Sequence, residues 1–179
     1  FPTRRSSDLI KDNMHGPIMD KIMVISTYLG NGGIIWIMII VVLMINKRYR
    51  RIGFMALAAL ILSTILGDVV LKNVVKRIRP SATIPSINLL IAKPLSYSFP
   101  SGHTTSSFAV AGVLARYLKN YAFEFFSLAA MIAFSRLYLY VHYPTDILGG
   151  IVLGLICSGI IIFLFDKVSY INYNRSEEH

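Results

Sequence analysis

Three clusters in this sequence combine residue types that bind anions with residue types that do proton or nucleophile chemistry. Lys72, Lys76 and Arg79 stand at i, i+4 and i+7, the spacing of one helix face, and Pro80 closes the run. Three cations on one face repel each other unless an anion lies between them; a solvated basic stripe is the alternative. Pro100-Ser101-Gly102-His103 opens an apolar stretch, where Ser or Gly supplies a helix cap and the free N–H groups of the first turn make a ready anion site. The hydroxyls that follow, Thr104 to Ser107, read as helix-packing groups. Ser135-Arg136, then five residues, His142, three residues and Asp146 complete the set. A carboxylate beside an imidazole fixes its tautomer and raises its basicity. A charge such as Asp146 at the edge of an apolar run needs a partner, because burying it alone is costly.

The elements that must hold these residues are apolar. Of 179 residues, 55% are hydrophobic and 15% charged, and mean hydropathy is +0.60. That composition argues against a soluble domain, a disordered chain and a collagen-like repeat. The single cysteine, Cys157, excludes an intrachain disulfide and a CxxC motif. Nine acidic residues leave little material for a carboxylate-built metal site. Four runs, Ile52–Leu71, Thr104–Leu118, Tyr121–Val141 and Ile147–Phe165, meet or approach the ~20 residues needed to cross a bilayer. Gly32–Ile45 makes a short fifth. Before it, Ile18, Ile22, Ile25 and Leu29 beside Asp20 and Lys21 predict either an interfacial amphipathic helix or the first turns of a longer first span. Phe1–Leu9 and Arg175–His179 differ in composition from what lies between and resemble translated sequencing-adaptor read-through. They are set apart as non-native ends from a single membrane domain over 10–174.

The net charge of +9 has two sources. Asn46–Arg51 packs four cations into one short turn, and Arg116, Lys119 and Lys167 fall on the same side if all five runs cross. The positive-inside rule makes that side cytoplasmic. The opposite side receives Lys72, Lys76, Arg77, Arg79, Lys93 and Arg136, whose count nearly matches and which therefore need another explanation. The topology supplies one: the end of the second span, the start of the third, the end of the fourth and the start of the fifth all lie on that side. The three clusters occupy those four places and converge on one anion site. Tyr138, Tyr140 and Tyr143 are expected in an interfacial aromatic belt. Gly150-x3-Gly154 is expected to allow close helix packing, and Ser81–Ser98 to form a lid or rim.

Lys72-x6-Arg79-Pro80, Pro100-Ser101-Gly102-His103 and Ser135-Arg136-x5-His142-x3-Asp146, in that order, resemble the three signature motifs of the type 2 phosphatidic acid phosphatase (PAP2) superfamily. The resemblance covers roughly Gly16–Lys167 and lies nearest the short bacterial branch that includes undecaprenyl-diphosphate phosphatases. It implies an all-α polytopic membrane bundle, shared with vanadium haloperoxidases, of about five transmembrane helices plus an N-terminal amphipathic helix. Its phosphatases need no metal, so no cofactor is expected. Carried over residue by residue, His142 is the nucleophile that forms a phosphohistidine, Asp146 orients it, and His103 protonates the leaving oxygen. Lys72, Arg79 and Arg136, with Ser101 and the Gly102 backbone, grip the phosphoryl oxygens. Lys76 and Arg77 fall between motif positions and take supporting roles in attracting substrate, while Asp68, one turn before Lys72, pairs with a site cation.

The resemblance implies hydrolysis of a lipid phosphate or diphosphate, first of all undecaprenyl diphosphate to undecaprenyl phosphate. The site would face the extracytoplasmic side of a bacterial cytoplasmic membrane. The expected partners are the lipid phosphate and the bilayer, and not nucleic acid; the oligomeric state stays open. Phosphatidate or phosphatidylglycerophosphate is the alternative substrate. A non-enzymatic lipid-phosphate-binding protein would explain the cations and spans but not the two histidines.

Overall fold

The computed structural model describes residues 16–83, 89–92 and 94–177, with Thr83 and 169–177 as backbone only. Lys93 and the end Phe1–Leu9 lie outside the described residues. The described chain is all-helical: α1 Pro17–Gly30, α2 Ile34–Ile45, α3 Arg50–Thr64, α4 Lys72–Val75, α5 Pro80–Thr83, α6 Gly102–Tyr117, α7 Ala122–Tyr138 and α8 Pro144–Glu177. Helix α3 runs into α4 through a π-helical segment, Ile65–Leu71.

Pro17 opens α1 at the first helical position, where its missing N–H is not needed. Asn31–Gly33 interrupts the helix because Gly32 and Gly33 take left-handed φ of 57° and 71°, which only glycine adopts cheaply. Despite that break, Pro17–Ile45 forms one apolar length of 29 residues, joined as candidate spans by Arg50–Val75 and Pro144–Val168. By length and composition Ile18–Leu29 is thus compatible with the first turns of a longer span. Ile18 and Ile25 point outward, 76% and 60% exposed, while Met23, Ser26, Thr27 and Gly30 face the bundle. Helices α6 and α7 have 16 and 17 residues. At 1.5 Å per residue they are about 24–26 Å long, somewhat short of the bilayer core.

Helix α6 is the centre of the bundle, packed by α3, α7 and α8 and buried continuously from Thr104 to Ala111. Hydrocarbon gives no hydrophobic drive between helices, so such contacts depend on small residues that let backbones approach. Ala56 and Ala59 of α3 and Ala109 and Ala111 of α6 are fully buried in this way. Gly154 of α8 is the tightest case: a Cβ there would lie 2.6 Å from the Thr105 carbonyl oxygen and 2.9 Å from the Ala109 nitrogen. The Gly150-x3-Gly154 pair thus packs α8 on α6 inside the bundle. Gly154→Ala should destabilise the protein by about 2 kcal/mol through overpacking, seen as a lower temperature of half-inactivation in detergent. Gly159→Ala meets nothing within 4 Å and should leave that temperature unchanged or raise it.

One end of the bundle is tied by polar contacts. Arg51 donates to the Phe165 carbonyl at 3.1 Å and pairs with Asp166 at 3.5 Å, and the Tyr117 hydroxyl donates to Asp166 at 2.9 Å. The Asn46–Arg51 turn, the end of α6 and the far part of α8 therefore meet there, as the sequence-based topology requires.

At the other end the structure corrects two expectations. Lys72, Lys76 and Arg79 do not share a helix face, because α4 stops at Val75 and Lys76 caps it in the left-handed conformation, φ 49°. Arg79 is set by the non-helical residues before Pro80, whose ring disfavours helix at the preceding residue. Two of the three tyrosines expected in an outer belt, Tyr138 and Tyr140, are buried, while Tyr143 is half-buried. Tyr138, in the last turn of α7, is 1% exposed against α1, and Tyr140, in the turn that follows, is 5% exposed. The Tyr138 hydroxyl meets Asp20 at 2.5 Å and ties α7 to α1.

Candidate active site

Four helix ends enclose a cavity of about 960 Å³ at this end of the bundle. Lys72 reaches it from α4, Gly102 and His103 from the first turn of α6, Arg136 from the last turn of α7, and His142 from the turn before α8; Arg79 comes from the loop between α4 and α5. Below these polar groups the wall is apolar, with Ile37 of α2 and Leu57, Leu60, Ile61 and Ile65 of the α3 limb. One half of the cavity can hold an anion and the other a hydrocarbon chain.

Arg79 is 5% exposed and held on several sides. Its Nε donates to the Ser96 carbonyl at 2.7 Å, and Nη2 donates to Ser96 Oγ at 2.9 Å and the Tyr97 carbonyl at 3.1 Å. Its Nη1 donates to the Val141 carbonyl and to His142 Nε2, both at 2.9 Å. His142 Nε2 therefore accepts, which leaves the ring proton on Nδ1, 3.5 Å from Asp146 Oδ2. That separation is too long for a good hydrogen bond, and Nδ1 is buried without one. Burial holds the His142 imidazole down, from an ordinary 6.5 to about 3; Arg79 and Arg136 reinforce the effect and Asp146 opposes it. The ring is neutral at physiological pH, with its Nε2 lone pair directed at the cation cluster. Burial also lowers Arg79, against the attraction of Asp146 and Asp68, yet a guanidinium stays charged.

Arg136 is 4% exposed and donates through Nη1 to Thr27 Oγ1. Its Nε is buried with no hydrogen-bond partner, and among the described residues no carboxylate pairs with it. Lys72 pairs with Asp68 at 2.5 Å, the partner expected from their i,i+4 spacing. Asp68 in turn fills the space beside Gly102, where a Cβ would lie 2.6 Å from Oδ1. His103 Nε2 lies 2.8 Å from Asn31 Oδ1, and its ring rests against Gly30, where a Cβ would come within 2.7 Å of Cδ2.

Not every expected residue reaches the cavity. Ser101 is fully buried as the N-cap of α6: its hydroxyl accepts from Thr104 Oγ1 at 2.9 Å, and only the adjoining Gly102 lines the site. Lys76 is exposed and Arg77 turns away from the cavity, toward Asp146. Asp146 is fully buried behind His142.

The family model of the PAP2 superfamily matches residues 52–170, which contain all three motifs. The chain belongs to the PAP2 superfamily. It is 34% identical over 122 residues to an undecaprenyl-diphosphatase of Sulfolobus acidocaldarius, a match covering 67% of this chain and 58% of that protein. It is also 31% identical over 153 residues to phosphatidylglycerophosphatase B of Bacillus subtilis, covering 78% and 72%. The crystal structure of Aquifex aeolicus LpxE superposes with a TM-score of 0.78 at 30% identity, over 90% of this chain and 95% of that one.

Several groups that complete the site of this PAP2 chain stand outside the motif positions. Asn31, Thr27, Ser96 and Ser98 hydrogen-bond His103, Arg136, Arg79 and Asp146 respectively. Asn31 sits 72 positions from His103, so no local spacing announces it. A polar residue between two apolar runs, in Gly30-Asn31-Gly32-Gly33, is the one available signal. Within the segment expected to form a lid or rim, Ser96 is exposed and lines the cavity, while Ser98 is buried against Asp146. Of the hydroxyls after His103, Ser107 accepts the Trp36 indole N–H at 2.9 Å, which is a packing role.

Proposed function

We propose that this protein is an integral membrane lipid phosphatase that hydrolyses a lipid phosphate or diphosphate through a phosphohistidine. The observation that carries the reading is the Arg79–Arg136 pair beside His142. A buried guanidinium with an unpaired N–H and no carboxylate partner is costly, and a phosphoryl group supplies the missing charge and acceptors. Such a clamp neutralises the three phosphoryl oxygens, the role that metal ions play in other phosphoryl-transfer sites.

The placement of the groups supports the following steps. His142 Nε2 attacks phosphorus while Asp146 takes the hydrogen bond of Nδ1–H, and the phosphorus–oxygen bond to the lipid breaks. His103 gives its proton to the departing oxygen. The same His103 then accepts a proton from water as that water attacks the phosphohistidine, releasing inorganic phosphate and restoring His142. Lys72, Arg79, Arg136 and the Gly102 N–H hold the oxygens throughout.

Within lipid phosphates, undecaprenyl diphosphate is the proposed substrate, supported by the undecaprenyl-diphosphatase relative. The relatives also include a phosphatidylglycerophosphatase, so glycerolipid phosphates are the second reading. Purified protein should release phosphate from undecaprenyl diphosphate faster than from phosphatidate or phosphatidylglycerophosphate, and EDTA should leave the rate unchanged. A reversed preference would assign the glycerolipid substrate. Lipid-phosphate binding without release at any enzyme concentration would overturn the enzymatic reading.

The proposed site faces the extracytoplasmic side of a bacterial cytoplasmic membrane, supported by the compact basic turn at the opposite end. Leu95, at the site end, is fully exposed, while the native Cys157 is buried. Leu95→Cys should react with a membrane-impermeant maleimide added to intact cells. Labelling only after lysis would reverse the orientation.

A further inference from the structure

Asp146 is a fully buried carboxylate whose contacts are divided between its two oxygens. Oδ1 accepts from Arg77 Nη1 at 2.7 Å. Oδ2 accepts from Ser98 Oγ at 2.5 Å and from the Tyr143 backbone N–H at 2.9 Å, and it is the oxygen that faces His142. A carboxylate can rotate about its Cβ–Cγ bond, so the oxygen offered to His142 depends on what holds the other one. Arg77 is that holder, and it is itself fixed. The same Nη1 donates to Thr145 Oγ1 at 2.6 Å, and the guanidinium lies over the Tyr143 ring at 4.1 Å.

Arg77 also belongs to the segment that carries Arg79. The Ser98 N–H donates to the Arg77 carbonyl at 2.8 Å, while Arg79 binds Ser96 and Tyr97. Residues 77–79 and 96–98 thus make a collar that grips Asp146 from one side and touches His142 Nε2 from the other. The side chain of Arg77 does not line the cavity, so it has no direct hold on a substrate phosphate.

We propose that Arg77 is a positioning residue for the His142–Asp146 pair, locking Asp146 so that Oδ2 meets His142 Nδ1 when phosphate engages Arg79. The proposal rests on the phosphohistidine reading and assigns Arg77 a task other than attracting substrate.

Steady-state kinetics on the full-length protein test it. Arg77→Met should lower kcat about 10- to 100-fold, as loss of an outer hydrogen-bonding partner does elsewhere, with KM and its salt dependence close to wild type. Arg77→Lys keeps a cation beside Oδ1 and should recover a large part of kcat. A loss confined to KM and suppressed by salt would make Arg77 a substrate-attracting residue and overturn the proposal, as would an unchanged kcat. If Arg77→Met does not fold, Ser98→Ala reads the same collar from its other flank. A fall in kcat at constant KM supports the proposal there, and a wild-type kcat overturns it. His142→Ala separates the two levels: retained activity removes the phosphohistidine reading and Arg77's role with it. An inactive His142→Ala beside a wild-type Arg77→Met removes only the role of Arg77.

Discussion

On the proposed phosphohistidine mechanism His142→Ala should abolish phosphate release, lowering kcat on the order of 10⁴-fold or more, because the variant lacks the proposed nucleophilic atom. Wild-type protein quenched during turnover of a ³²P-labelled lipid diphosphate should carry an acid-labile, base-stable label, and the variant should carry none. The structure makes this test clean. His142 is buried and neutral, so its removal breaks its bond with Arg79 and its 3.5 Å contact with Asp146 and leaves the Arg79 contacts to Ser96, Tyr97 and Val141 in place. The fold should survive, and lipid-phosphate binding should persist. Activity within tenfold of wild type would place the covalent step on another residue.

Arg136→Met should separate stability from activity. The guanidinium is 4% exposed, has one hydrogen bond to Thr27 and leaves Nε unsatisfied. Replacing a poorly compensated buried charge with an apolar side chain of similar length is often neutral or stabilising. The temperature of half-inactivation should therefore stay level or rise. Removing the cation proposed to stabilise charge on the phosphoryl group should meanwhile cost about 10³-fold in kcat/KM, within the range seen for catalytic arginines. A variant equally active and more stable would show that Arg136 does not face the phosphoryl group. A combined loss of activity and stability would show that its role is structural.

Much of this site is legible in the sequence because its members sit where helices begin and end. Pro before a helix, a short polar cap and a cation at the last turn are local signals, and the topology then sends all four ends to one side. Asp68–Lys72 and Gly150-x3-Gly154 were also readable, since both depend on spacing within one helix. What escaped were contacts across the chain. Ser96 and Ser98 meet Arg79 and Asp146 from 17 and 48 residues away, and Asn31 meets His103 from 72. Spacing within one element carries no information about such pairs. Lys76 was placed on the face of Lys72 because i,i+4 spacing assumes that the helix continues; the left-handed turn at that residue could not be read from a lysine, which rarely adopts it. The tyrosines were misplaced for a related reason. Their amphipathic rings suit a membrane interface, but Tyr138 packs on α1 through Asp20, and the tight reversal that brings His142 to the cavity buries Tyr140.

The π-helical segment Ile65–Leu71 has a consequence for aim. Leu60, Thr64, Asp68 and Lys72 all line the cavity at steps of four residues. In an α-helix, with 3.6 residues per turn, each such step overshoots a full rotation by about 40°, so a row of this length spirals off any fixed target. A π-helix takes more residues per turn, and the same step then falls short. Passing from α3 into the π segment sets the second drift against the first. The row straightens, so that apolar Leu60 and cationic Lys72 share one wall from the bundle's interior to its rim. The wider coil acts as a steering correction, turning a largely apolar helix so that its last cation, Lys72, enters the cavity without a proline kink.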